Sequence, residues 1–280
     1  MIMKTVPIIR RTLLTLMTVS SMSLALPSKA ANFFTVSEIS LELTNFSHLP
    51  HDIAAFVTQD VTTIANIGFV AAQVDVDAIF QVENNEAIAQ AYSSIGLIGS
   101  GTDYLGSANV STNLFGSFMI PVGESLRFDI NSYLSLENFT EDLFSGHSTS
   151  GTISFLFQDV LNQTVYEVFR LTGILNTNNN EELGRDILKF VRGDGLKISN
   201  YYEQIVLEGN NESLVLAFSG VFEQKFEQGA IINLVAVSQT CNYDSNEVGG
   251  CVTIPEPSNR TSLLLGLLCL ISVGLRSRIM

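Results

Sequence analysis

The chain contains no tryptophan, and among its 280 residues there are only three histidines, three cysteines and six prolines. Glycosidases usually carry Trp-built sugar platforms, so the missing Trp counts against that class although carboxylates are plentiful. It also leaves the core to 18 Phe with Leu, Ile and Val. Two of the cysteines lie ten apart with no His beside them, an incomplete set for zinc. Basic residues are scarcer still. Residues 31–257 hold all 28 Asp and Glu but only seven of the 14 Lys and Arg, a formal charge of −21. Such a body repels nucleic acid and anionic lipid surfaces and favours solubility. Also missing are Gly-x-Ser-x-Gly, His-Glu-x-x-His, a phosphate-binding glycine loop and a Cys/His dyad, so no catalytic residue is assigned and a non-enzyme is expected. No Pro/Gly/Ser-rich linker interrupts the middle of the body, which reads as one domain.

Both ends are apolar. Lys4, Arg10 and Arg11 precede the apolar run 12–26, and Ser28-Lys29-Ala30 is a small-x-small cleavage site, which together read as a secretory signal over 1–30 cut between Ala30 and Ala31. At the other end, residues 262–275 are apolar and are followed by Arg276 and Arg278. Fourteen residues at about 1.5 Å each span roughly 21 Å, less than a bilayer core of about 30 Å. Arg260 and the terminal arginines can snorkel to opposite interfaces and lengthen that span, with the basic end on the cytoplasmic side.

Pro255-Glu256-Pro257, a short apolar helix and a basic terminus, in that order, resemble the PEP-CTERM sorting signal of exported bacterial proteins. The resemblance covers about a tenth of the chain. It implies recognition at Pro255, Glu256 and Pro257 by an exosortase, a membrane protease-transpeptidase. It also implies a bacterial source, with cyanobacterial proteins bearing Phe-rich β-bodies the nearest comparison. The expected partners are signal peptidase, the exosortase and exopolysaccharide, with no nucleic acid. The expected location is the cell envelope or outer surface, with the C-terminal helix in the membrane until processing.

The body alternates with a period of two. Ile39, Leu41 and Leu43 point one way and Glu38, Ser40, Glu42 and Thr44 the other; Leu126, Phe128 and Ile130 alternate with Arg127 and Asp129. Further strands are expected at 69–80, 87–97, 108–120, 154–158, 165–175, 187–191, 214–226 and 230–239, separated by Gly, Asn, Asp and Ser. Glu83–Glu86 marks a hairpin turn, Ser100-Gly101-Thr102-Asp103 another turn, and Gly193-Asp194-Gly195 a second hairpin. The pattern predicts an all-β fold, an antiparallel β-sandwich of jelly-roll or Ig-like type, with an N-terminal signal helix and a short C-terminal transmembrane helix. The expected organisation is a signal peptide at 1–30, a β-sandwich domain at 31–241, a linker with a disulfide loop at 242–254, and the sorting signal at 255–280.

Few residues suggest chemistry. Cys241 and Cys251 flank a nine-residue loop and are expected to close a disulfide worth about 2–3 kcal/mol outside the cell. Asp75 and Asp77 share one face of a strand, a weak calcium candidate beside the plainer reading of a polar surface; no other cofactor is expected. His48-Leu49-Pro50-His51-Asp52 reads as a solvated loop, distant in sequence from His147, and Arg192-Gly193-Asp194 as a turn. The functional expectation is an exported cell-surface or matrix protein of unassigned activity. A glycan- or calcium-binding module is the alternative, and a secreted hydrolase the third reading.

Overall fold

A computed structural model describes residues 32–141, 146–176, 186–208, 211–245 and 251. The signal segment, Ala31, the loop 246–250 and the sorting signal with Pro255, Glu256, Pro257 and its expected membrane helix lie outside the described residues. The described body is all-β and antiparallel. Its strands are β1 (Asn32–Thr44), β2 (Asp52–Glu83), β3 (Glu86–Ile120), β4 (Ser125–Thr140), β5 (Gly146–Asp159), β6 (Thr164–Asn176), β7 (Ile187–Arg192), β8 (Leu196–Glu208), β9 (Asn211–Lys225) and β10 (Ala230–Ser245).

All ten belong to one sheet in the order β7-β6-β5-β10-β3-β1-β4-β9-β8, with β2 also paired to β3. The expected two separate sheets are thus one sheet folded over. The cause is β3, 35 residues long. One of its edges pairs with β2 almost throughout; the other carries β1 along Ala89–Ser100 and β10 along Leu105–Ile120. Between those stretches the β2–β3 ladder shifts register at Ala65/Ile67 and Ile67/Gly68, opposite Gly101 and Asp103. Gly68 and Gly101 there have φ of 128° and 142°, values open to glycine. The expected turn at Ser100–Asp103 is therefore a bulge, which bends the ribbon and raises its twist. Buried positions on β3 are odd-numbered before it and even-numbered after it, so one face stays inward through the bend.

The hairpin expected at Glu83–Glu86 is present, with Asn84 and Asn85 at φ 51° and 63°, the pair of positive values a tight two-residue turn needs. Gly193-Asp194-Gly195 differs from expectation. It joins β7, which pairs with β6, to β8, which pairs with β9, and those are the two ends of the sheet order. The turn crosses the seam where the sheet nearly closes, and Phe190 on β7 meets Tyr201 on β8 there at 6.0 Å. The linker expected from residue 242 also differs. β10 continues to Ser245, paired on both edges to β3 and β5, and Asn242 and Asp244 are buried.

The folded halves pack face to face. Phe128 on β4 meets Phe155 on β5 at 5.5 Å, Phe157 on β5 meets Phe222 on β9 at 5.1 Å, and Phe169 on β6 meets Phe218 on β9 at 4.9 Å. Such pairs add about 0.5–1.5 kcal/mol each beyond the area they bury. The interior is not apolar throughout. Thr35, Ser37, Ser93, Asn138, Thr149, Ser238, Thr240 and Asn242 are buried as well. Thr112 and Ser238 hydroxyls bond at 2.5 Å, and Asn242 Nδ2 donates to the Ile95 carbonyl at 3.1 Å.

Candidate functional site

The face of β1 opposite the core carries the most unusual group. Glu38 points away from Ile39 and Leu41, as its alternation requires, yet it is only 6% exposed. Its cover comes from neighbouring strands. Asp77, Tyr92, Ser40, Tyr133, Ala217 and Tyr202 are successive cross-strand partners on β2, β3, β1, β4, β9 and β8. The adjacent row is Asp75, Ser94, Glu38, Ser135, Val215 and Gln204. Tyr92 and Tyr133 are therefore diagonal neighbours of Glu38, close enough for a long side chain to lie across it.

Burial pushes the Glu38 carboxyl up to about 7, against a downward pull from its hydrogen bond to Tyr92. The carboxyl's Oε1 has no hydrogen-bond partner among the described residues. Burial and the nearby Glu38 charge push the Tyr92 hydroxyl up to about 12, and burial raises Tyr133, so both stay protonated donors at neutral pH. On the far side of the tyrosine row, Glu42 accepts from Gln90 Nε2 at 2.8 Å and from Asn131 Nδ2 at 3.2 Å. No lysine or arginine stands in these rows. The result is a broad, half-buried strip of tyrosine, amide, hydroxyl and carboxyl groups. Tyr92 and Tyr133, two strands apart, stand about 9–10 Å from each other along it.

A second polar group is internal. His147 Nδ1 lies 2.6 Å from Asp244 Oδ2 and both side chains are fully buried. Tyr104 also bonds to Asp244 and stacks on Phe33 at 4.7 Å; Phe33 in turn meets the His147 ring at 5.4 Å. Burial raises the Asp244 carboxyl to about 6 although His147 and Tyr104 pull it down. This group ties β3, β5 and β10 together beside the Cys241–Cys251 disulfide, whose Cα atoms are 5.8 Å apart. With both side chains inaccessible, it is read as structural.

The other sequence candidates stay dispersed. Asp75 and Asp77 share the outer face of β2 and are exposed, and no cluster of three His, Cys, Asp or Glu able to hold a metal occurs among the described residues. His48 Nε2 meets Glu124 at 2.8 Å and His51 meets Asp52 at 3.4 Å, both far from the buried His147. A shallow depression of about 220 Å³ lies between Thr58–Asp60, Asn109–Ser111 and Gln239–Thr240. Sequence reasoning placed Glu38 on the outward face but missed Tyr92 and Tyr133 beside it. The available signal was a Tyr within the outward set of each of two strands, and it becomes a site only once the strand order is known. No known protein family matches the chain, and no curated protein does.

Proposed function

We propose that this chain is an exported protein of the bacterial envelope, delivered by its signal segment and an exosortase-like system, and that its β-body holds a neutral, hydroxyl-rich polysaccharide on the outer tyrosine face. The export half rests on Lys4–Ala30 and on Pro255-Glu256-Pro257 with the apolar, basic-ended tail. The binding half is carried by one observation, the row Tyr92–Ser40–Tyr133 laid over a buried Glu38 whose Oε1 lacks a partner among the described residues. Tyrosine faces stack on sugar rings, while the surrounding amides, hydroxyls and carboxyl exchange hydrogen bonds with sugar hydroxyls. The two rings stand roughly a disaccharide apart. With no cation in the rows and −21 on the body, an uncharged glycan fits better than an anionic one.

Calcium at Asp75 and Asp77 lacks a third carboxylate among the described residues. Intact-mass analysis of the protein from its host tests export: the expected product begins at Ala31 and is processed near Pro255–Pro257. A mature protein retaining Met1–Ala30 would remove the export reading. A glycan array tests the face separately. Neutral glycans should bind, and binding by anionic glycans alone would refute the assignment.

A further inference from the structure

Strand β2 is the least covered element of the body. Phe56, Val57, Val61, Ile64 and Ile67 are between 39% and 63% exposed, and because they include both odd and even positions, both faces of the strand are bare. Its partner is β3 alone; among the described residues its second edge is unpaired, so a row of backbone N–H and C=O groups faces outward. Long apolar edges of this kind are templates for further strand pairing, and monomeric proteins blunt them with charge or proline. Here proline is absent and charge almost so. Residues 53–74 contain no proline and one charge, Asp60, in a body of net −21.

We infer that this edge pairs with β2 of a second copy, antiparallel about a two-fold axis. Charge selects the occupant. Two bodies of −21 repel each other over most of their surfaces, and the 53–74 stretch of β2 is a long edge on which they can approach with almost no like charge facing like. Any axis not centred on Asp60 also keeps the two Asp60 carboxylates apart. An antiparallel strand is its own complement, so a single surface closes the pair and leaves no growing end. The straight stretch from Ile53 to Ala65, before the bulge, is 13 residues, or about 44 Å. A strip of that length and about 10 Å deep buries roughly 900 Å² in total, below the size of stable interfaces and in the range of weak, transient ones, so the dimer is reversible. It would join two tyrosine faces in one particle, giving avidity on a repeating polymer.

Sedimentation of the protein as isolated from its host, over about a hundredfold range of concentration, should show a monomer–dimer equilibrium. Amide exchange at 53–65 should slow as the dimer fills. Val61→Glu with Ile64→Glu, both at exposed sites, places like charges across the axis and should leave a monomer with the rest of its exchange pattern intact. Val122→Glu, at an apolar residue 73% exposed in the β3–β4 turn, should leave the dimer unchanged. A native chain that stays monomeric throughout overturns the inference, as does a doubly substituted chain that pairs equally well. Protection of 53–65 that ignores concentration and disappears on removal of residues 252–280 also overturns it, and assigns the edge to the chain's own C-terminal segment.

Discussion

Glu38 shows how an outward-facing residue can be buried. Alternation along β1 places it correctly on the face away from Ile39 and Leu41, and that much is legible in the sequence. Its loss of exposure comes from Tyr92 and Tyr133, which reach it only because β3 and β4 flank β1, a pairing no local pattern encodes. The cost should be visible against pH. With a folded value near 7 and an ordinary value of 4.5, the native state holds a proton that the unfolded chain has lost between those limits. Stability therefore falls as pH rises from about 4.5 to 7, and the penalty is complete above 7. Glu212, raised to about 7 mainly by burial, and Asp244, raised to about 6, add to the same trend. Glu38→Gln should remove its share, raising unfolding free energy at pH 8 by about 1–3 kcal/mol with little change at pH 4.5. Denaturant titrations at the two pH values check this; equal effects at both would contradict the raised carboxyl. His147 teaches the converse lesson. In sequence it is a lone histidine, and its partner Asp244 lies where a solvated linker was expected. Only the continuation of β10 past Cys241 brings them together.

At the scale of elements, strand type was readable and strand extent was not. The hairpin at Asn84-Asn85 follows from local chemistry, because both residues tolerate positive φ. Ser100-Gly101-Thr102-Asp103 carries the same turn-forming composition yet becomes a bulge inside β3, since β2 runs alongside and supplies a partner on both sides of the irregularity. Composition marks a deviation from extended chain there, and the neighbouring strand decides whether the chain reverses or bends. Gly193-Asp194-Gly195 illustrates the same limit: the turn forms, but β7 and β8 find partners in β6 and β9. The bulge has a sharp requirement. A Cβ on Gly101 would lie 2.2 Å from the Ile67 carbonyl oxygen, at a φ side chains rarely adopt, whereas a Cβ on Gly96 meets nothing within 4 Å. Gly101→Ala should cost about 2–4 kcal/mol, and Gly96→Ala should be close to neutral. Comparable losses in the two variants, measured by chemical denaturation, would mean that the bend does not depend on that backbone conformation.

At the scale of the whole molecule, the proposed address is read from sequence alone and the proposed surface from the fold. The export proposed here is an expectation from linear strings at the two ends, which lie outside the described residues. The body's class is legible because apolar residues recur every second position. Its single folded sheet is not, because β1 and β10 share one edge of β3 from opposite ends of the chain. The missing Trp counted against a glycosidase, and the two tyrosines of the proposed platform lie on β3 and β4 and meet only across β1. Gel electrophoresis through a neutral polysaccharide tests the proposed surface most directly. The native chain should be retarded in proportion to polymer content, and Tyr92→Ala with Tyr133→Ala should weaken binding about tenfold, the effect of two lost stacking contacts. Equal mobility of native and substituted chains at every polymer concentration would contradict the account.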